Sequence, residues 1–255
     1  MDIIELLQSG LSGYSLVTAF AVIGATVWIS YFLSDRLTKG RLHGSAIAIL
    51  MGLLLAYIGG IITGGKAGIA DIEVLAGIGL MGGAMLRDLA IVATAFGVRM
   101  DEFRRAGFSG ILALIAGVVI SFIVGACVAY FFGYRDAVSM TTIGGGAATY
   151  IVGPVTGTAL GASDEVIALS LAAGLVKSIL VMTTTPFVAK RIGLDNPKSA
   201  LIFGGLMGTT SGVAGGLAAT DPKLVPYGAM TATFYTGLGC FVGPSIVYIV
   251  IRAIV

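Results

Sequence analysis

Residues 139–162 read SMTTIGGGAATYIVGPVTGTALGA, and this stretch decides how the rest of the chain is interpreted. It is long enough to cross a membrane as a helix, but glycine, threonine and serine replace much of the usual apolar sequence. Residues 201–219, LIFGGLMGTTSGVAGGLAA, have the same character. Irregular backbone at membrane depth is tolerated only where it is buried in protein or lines a cavity. In a membrane protein, the two stretches therefore predict interrupted helices around an internal site.

The composition indicates an integral membrane protein. Of the 255 residues, 57% are hydrophobic and only 11% are charged, and the mean hydropathy is +1.01. A soluble domain carries about 25% charged residues, and its glycine content of about 7% is roughly half of what the 39 glycines represent here. These values exclude a soluble globular domain, a disordered chain and a collagen. The net charge of +2 gives no reason to expect a nucleic-acid partner.

Six stretches are apolar and long enough to cross about 30 Å of hydrocarbon as helices. They are residues 15–33, 45–62, 72–98, 108–132, 165–189 and 224–251. Lysine and arginine are concentrated in the loops after the first, third and fifth spans, which places these loops in the cytoplasm. We therefore predict an all-α polytopic membrane protein with about six to seven transmembrane helices and one or two glycine-rich re-entrant hairpins.

The loop charges require residues 139–162 to enter and leave the membrane on its outer side, as a re-entrant hairpin. Residues 201–219 either form a second hairpin, entered from the cytoplasm, or cross the membrane, and these alternatives place the C-terminus on opposite sides. The similar triplets Ala162-Ser163-Asp164 and Ala219-Thr220-Asp221 follow the two stretches. Two equivalent units on opposite sides of the membrane are typical of an inverted-repeat transporter. Because short matches arise by chance in a glycine-rich chain, the internal repeat stays an open alternative.

The polar and glycine residues of the two interrupted stretches are candidate substrate ligands. The N-terminus of a half-helix at membrane depth presents partial positive charge to an anion. The alternative is that the glycines only allow helices to pack closely. The candidates are Thr142, Gly144, Gly145, Gly146, Thr149, Thr209, Thr210, Ser211 and Gly212.

Three charged residues lie deep inside apolar spans. Lys177 is 13 residues from both Asp164 and Lys190, which puts it about 20 Å from either end of its helix. Arg87 and Asp88 lie about 18 Å from the end of their span. A charge at this depth costs a few kcal/mol or more, so each should face protein or water. We predict that Lys177 and Arg87 bind an anionic substrate and that Asp88 binds a cation; the alternative in each case is a structural ion pair.

Prolines predict two broken helices. Thr183, Thr184 and Thr185 precede Pro186, and Pro244 follows a glycine in the last span. A proline leaves a carbonyl about one turn back without its helical donor. Threonine hydroxyls and freed carbonyls are oxygen ligands that suit Na⁺. The three threonines are therefore candidate Na⁺ ligands, the alternative being a simple kink.

Two runs, residues 142–154 (TIGGGAATYIVGP) and 204–212 (GGLMGTTSG), resemble the MadM family, the larger subunits of bacterial two-component malonate:sodium symporters. The length and the order of the spans resemble that family over essentially the whole chain. The resemblance implies uptake of malonate coupled to Na⁺, a small MadL-like membrane subunit as partner, and a multi-pass location in the bacterial inner membrane. It assigns no binding residue, so the candidates above rest on their chemistry alone.

We therefore predict a secondary active transporter subunit that takes up malonate with Na⁺. We expect no enzyme activity, because no nucleophile–base set is recognisable, and no cofactor besides the coupling ion. Residues 1–135 are predicted to form a scaffold that contacts the partner subunit, and residues 136–255 an elevator-like transport part; a higher oligomer stays open. The alternatives are a proton-coupled transporter of another small carboxylate, and a passive channel or scaffold subunit of a membrane complex.

Overall fold

The computed structural model describes residues 10–39, 44–65, 67–82 and 100–255. Within these residues the chain forms helices and no strand, which confirms the predicted all-α fold. Contacts divide the chain into two compact units, Met1–Phe96 and Gly97–Val255. The predicted division at residue 135 concerns the roles of scaffold and transport, and it stays a prediction.

The first unit is built on two long apolar helices. Helix α1 (Ser15–Leu33) continues through a π turn at Ser34–Thr38, and α2 (Gly44–Thr63) packs against it. Two 3-10 turns, Gly68–Asp71 and Glu73–Leu75, lead into the short α3 (Gly77–Gly82), which also packs against α1. Few residues of α1 and α2 are buried, as expected for helices that face lipid.

The second unit contains the remaining helices and both interrupted stretches. Its helices are α4 (Met100–Phe131), α5 (Ala137–Ala148), α6 (Val152–Leu160), α7 (Asp164–Val188), α8 (Pro197–Met207), α9 (Thr210–Ala218), α10 (Val225–Val242) and α11 (Tyr248–Ile254). A π turn at Gly243–Val247 joins α10 to α11. Helix α4 bends at Gly107, whose positive φ of 62° interrupts the helical backbone.

Five helices of the described residues are long and apolar enough to cross a membrane. They are Ser15–Thr38, Gly44–Thr63, Gly107–Phe131, Asp164–Val188 and Pro222–Ile254, and they coincide with five of the six predicted spans. The sixth, residues 72–98, begins with the 3-10 turn and α3 described above, and its remainder lies outside the described residues.

Residues 137–160 form a closed hairpin, which we call the first hairpin. Gly145 of α5 lies against Gly153 of α6, and the Thr142 side chain lies against Gly157, so the two helices run antiparallel. The break falls at Thr149, whose backbone is extended. Each of the two arms also packs against α7. The re-entrant shape predicted for this stretch is therefore present in the structure.

Residues 197–218 form a second hairpin whose arms are spread apart. Helix α8 ends at Gly208, which has a positive φ of 74°, and α9 begins two residues later. The start of α8 and the end of α9 return to one hydrophobic cluster, which contains both Ala200 and Leu217. Gly228 of α10 lies between the two arms. A Cβ placed on Gly228 would lie 3.3 Å from the Ala200 carbonyl oxygen and would overlap the Leu217 side chain. The stretch therefore folds back on itself as a hairpin, the shape expected of a re-entrant segment.

The two hairpins approach α7 from its opposite ends. The first hairpin runs beside the N-terminal half of α7, with Gly157 near Ile167. The second runs beside the C-terminal half, with Gly216 against Thr185. Because α7 is long enough to cross a membrane, the two hairpins lie beside opposite halves of a candidate membrane span, an arrangement typical of an inverted-repeat transporter.

Candidate functional site

The tips of both hairpins meet the middle of α7 only one helical turn apart. At the first tip, a Cβ on Gly174 would overlap the backbone of Tyr150, so this position of α7 has room only for glycine. At the second tip, the Thr209 hydroxyl donates to Ser178 Oγ over 2.9 Å, and Ser178 Oγ lies 2.7 Å from Ser211 Oγ. Interrupted helices that meet at mid-membrane are where transporters bind substrates.

Lys177 lies between these two contact points and reaches three elements. Its Nζ donates to the Ala148 carbonyl at 2.9 Å and to Ser121 Oγ of α4 at 3.1 Å. Its third partner is the Tyr235 hydroxyl of α10 at 3.5 Å. Among the described residues these partners are all neutral. The ion pair considered from the sequence is therefore not among its contacts with the described part of the chain.

Tyr235 holds the arrangement together from α10. Its side chain is fully buried, and its hydroxyl lies 2.7 Å from Ser121 Oγ and 3.1 Å from the Gly117 carbonyl. The Lys177 ammonium lies 5.2 Å from the centre of the tyrosine ring, within the range of a cation–π contact. The same ring packs against Gly208 at the second tip, where a Cβ would overlap it. Tyr235 thus connects the lysine to the second hairpin.

The helix ends give this site its electrostatic character. The Ala148 carbonyl that accepts from Lys177 closes α5, and a helix C-terminus carries partial negative charge. The N-terminus of α9, which carries partial positive charge, begins beside Ser178. The side chain of Thr209 makes no capping hydrogen bond to α9, because it is turned towards Ser178. The site therefore combines one fixed cation with one helix end that favours anions.

Several predicted residues lie together here. Lys177, Thr149, Thr209, Ser211 and Gly212 all lie at the tips or on the facing turn of α7, and Thr210 lies between two of them. Thr149 is fully buried, and its hydroxyl accepts from the backbone N–H groups of Ile151 and Val152. Its hydroxyl is therefore engaged in capping α6.

The glycines of α5 pack against its neighbours in this structure. Gly144 faces Phe122 of α4, Gly145 faces Gly153 of α6, and Gly146 faces the Ser170 backbone of α7. Thr142 donates its hydroxyl to the Val138 carbonyl of its own helix. These contacts are those expected from close helix packing. Substrate contact by these four residues stays a prediction.

The other predicted ligands do not converge. The hydroxyls of Thr183, Thr184 and Thr185 each donate to carbonyls of α7 itself, and successive positions of a helix point about 100° apart. Arg87 and Asp88 lie outside the described residues. In the described part of the chain, no three or more His, Cys, Asp or Glu residues cluster as metal ligands. Na⁺ binding by the three threonines and by Asp88 stays a prediction.

Three residues of the site were not among the predicted ligands: Ser121, Ser178 and Tyr235. Ser121 and Ser178 are each a small polar residue at the centre of an apolar span, and Tyr235 lies in the middle of the last span. A polar side chain at that depth needs a partner, because the surrounding lipid offers none. That position in the span is the signal in the sequence that could have identified them.

The fold and the site together define a class of protein. Two opposed hairpins that meet at a cation in the middle of a membrane-spanning helix are typical of a secondary transporter. The chain belongs to the MadM family: the family described as malonate/sodium symporter MadM subunit matches residues 7–255. The resemblance stated from the sequence is thereby confirmed, and a role as a transporter subunit with it. The comparisons found no match among curated proteins or among solved structures.

Proposed function

We propose that the chain, together with a small MadL-like subunit in the bacterial inner membrane, takes up malonate with Na⁺. The observation that carries the proposal is the position of Lys177, a cation with neutral partners where both hairpin tips meet α7. A partly buried cation held only by neutral groups favours an anionic ligand, because the opposite charge of a carboxylate adds a Coulomb attraction that neutral oxygens do not supply.

One malonate carboxylate binds Lys177 by replacing a neutral partner. The Ala148 carbonyl is the partner that it displaces, because this carbonyl belongs to the hairpin tip whereas Ser121 and Tyr235 lie on long helices. Binding therefore releases the first tip from the lysine. This exchange gives the substrate differential contacts with two states of the protein, which any conformational change driven by a ligand requires.

The second carboxylate binds at the second tip. The first turn of α9 offers backbone N–H groups that Thr209 does not cap, and the Ser211 hydroxyl lies beside them. N–H groups of a helix N-terminus together with a hydroxyl form a common site for a carboxylate. A dicarboxylate would then bridge Lys177 of α7 and the second hairpin, which a monocarboxylate could not do.

Coupling to a cation follows from the charge of the substrate. Bringing a dianion into a cell works against the membrane potential by about 2.3 kcal/mol per charge per 100 mV. Na⁺ moving inward in the same cycle offsets this cost. In this proposal, residues 136–255 carry the substrate and residues 1–135 form the scaffold that binds the partner. Arg87 and Asp88 would supply further charge to the pathway.

Uptake by the reconstituted complex tests the proposal. Proteoliposomes that contain the chain and its small partner should accumulate labelled malonate when an inward Na⁺ gradient is imposed, and not with K⁺. Lys177→Ala should weaken malonate binding about 10–100-fold, since a hydrogen bond to a charged group contributes about 1.5–3 kcal/mol. Lys190→Ala, which alters an exposed lysine at the end of the same helix, is the matched control.

The results separate the alternatives. Accumulation driven by a pH gradient without Na⁺ would show a proton-coupled carrier, and equilibration without accumulation would show a channel. Either result would overturn the Na⁺-coupled proposal. Unchanged malonate affinity in Lys177→Ala would show that the lysine has a structural role only.

A further inference from the structure

A second position in the same unit has a polar group without a partner. Thr156 of α6 is fully buried, and its hydroxyl has no hydrogen-bond partner among the described residues. Other helical threonines of the chain, among them Thr141 and Thr236, donate to the carbonyl four residues before them. Leaving a buried hydroxyl unpaired costs free energy, so such a group calls for an explanation, and a bound ion is one that satisfies it.

The Thr156 hydroxyl faces the broken part of the last span. A Cβ placed on Gly243 would lie 2.6 Å from Thr156 Oγ1 and 3.0 Å from the ring of Phe122. Gly243 begins the π turn Gly243–Val247, which contains Pro244 and is closed by the Tyr248 N–H donating to the Gly243 carbonyl. Proline supplies no N–H to the turn before it, and π turns occur frequently at functional sites. The hydroxyl and the widened backbone thus face each other across the interface between α6 and α10.

This position is connected to the Lys177 site along one interface. Helices α6 and α10 lie side by side: Val152 packs against Gly239, and Thr156 packs against Gly243. Tyr235, which contacts Lys177, lies one turn before Gly239 on the same side of α10. Two turns of helix separate Tyr235 from Gly243, about 12 Å.

We propose that the Thr156 hydroxyl, together with backbone carbonyls at the break between α10 and α11, binds the transported Na⁺. The inference rests on the proposed Na⁺ coupling and gives it a place in the fold. In transporters, neutral backbone oxygens of broken helices coordinate Na⁺. A threonine hydroxyl does not bind a proton at neutral pH, so this site has no use in a proton-coupled carrier. Na⁺ bound here supports α6 and α10, and through them the first hairpin and Tyr235.

The test measures Na⁺ binding separately from transport. The purified complex in detergent is heated at increasing NaCl, with choline chloride keeping the ionic strength constant, and the melting temperature is followed. Na⁺ should raise the melting temperature of the unmodified complex with a definite half-saturating concentration. Thr156→Val, which keeps the shape and removes the hydroxyl, should raise that concentration at least tenfold. Thr156→Ser should stay within threefold of the unmodified complex.

Two controls make the result specific. Thr158→Val removes an exposed hydroxyl from the same helix and should leave the Na⁺ response unchanged. In Na⁺-free buffer, Thr156→Val should melt at the same or a higher temperature than the unmodified complex, because an unpaired hydroxyl has been removed. A fall in the Na⁺-free melting temperature would show that the hydroxyl is satisfied by another group and would overturn the inference.

The remaining outcomes distinguish this inference from the proposed function. An unchanged Na⁺ half-saturation in Thr156→Val, with Na⁺-driven uptake intact, would overturn the Thr156 site alone. A complex that binds Na⁺ through Thr156 but accumulates no malonate would support this site and overturn the proposed function. A complex that melts at the same temperature in Na⁺ and in choline would overturn the Thr156 site, whatever the uptake assay shows.

Discussion

The first and second hairpins have similar sequences, but their tips present helix ends of opposite partial charge. The arms of the first pack against each other through Gly145 and Gly153, and its tip presents a carbonyl to Lys177. The arms of the second are spread by Gly228, and its tip presents the N-terminus of α9 beside Ser178. One tip therefore attracts a cation and the other an anion. The difference shows that two glycine-rich hairpins of similar sequence can favour ligands of opposite charge.

The largest expected effect comes from separating the first tip from α7. Gly174→Ala places a Cβ against the backbone of Tyr150 and Thr149, which cannot move aside as a side chain can. We expect a loss of stability of about 1–3 kcal/mol or more, as for overpacked cores. Gly237→Ala, in α10 with open space around it, should be neutral or slightly stabilising. Thermal unfolding of the complex measures both, and equal stability of the two variants would contradict the tip contact.

A smaller effect should distinguish the chemistry of the two tips. Ser178→Ala removes the hydroxyl that holds Thr209 and Ser211, and we expect about tenfold weaker malonate binding, equivalent to about 1.4 kcal/mol. Thr149→Val removes the hydroxyl that caps α6, which should lower stability by about 1 kcal/mol with little change in malonate affinity. Binding and melting of both variants test this, and the reverse pattern would mean that the first tip binds the second carboxylate.

The smallest effect is a pH response confined to the first hairpin. Burial alone would raise the pKa of Asp136, but hydrogen bonds from Ser139 at the start of α5 lower it below its ordinary value. Because its pKa is lowered on folding, ionised Asp136 stabilises the hairpin at pH values above its pKa in the unfolded chain, near 3.9. This stabilisation is lost as the pH falls through the pKa of Asp136 in the folded protein. The second hairpin is capped by the neutral Asn196, so it should not respond.

Hydrogen exchange of α5 and α8 between pH 6 and pH 3 checks this difference. Exchange of the first turn of α5, corrected for the intrinsic pH dependence, should increase in acid, whereas the first turn of α8 should not change. Asp136→Asn should remove the response of α5. A response of equal size in both helices would point to general loosening of the unit and contradict the assignment to Asp136.

The sequence was sufficient for the elements and much of the topology. Apolar length predicted five spans within a few residues, since about 20 apolar residues leave little choice in a bilayer. The excess of glycine and threonine predicted both interruptions, and the triplets that follow them suggested two opposed hairpins. The choice between crossing and re-entry for residues 201–219 could not be made, because it depends on which helix lies between the arms, a contact that no local pattern encodes.

The site was predictable only in part, because most of its contacts join residues that are far apart in the chain. Lys177 stood out because a charge at mid-membrane is costly. Its partners Ser121 and Tyr235 are more than 50 positions away in the chain, so no spacing within a helix connects them to it. The sequence left two roles open for the glycine triplet of α5, substrate contact and close packing, and the structure packs each glycine against a different helix. Composition shows that glycine allows a close approach, but it does not show which group approaches.

The four-residue interval from Gly174 to Ser178 limits how this chain can vary. Four residues are close to one turn, so the two contact points lie on nearly the same side of α7. One inserted residue would rotate one of them by about 100° and turn its hairpin away from the other. An insertion or deletion inside this interval should therefore not be tolerated. We therefore expect homologous chains to keep this four-residue spacing even where their loops differ in length.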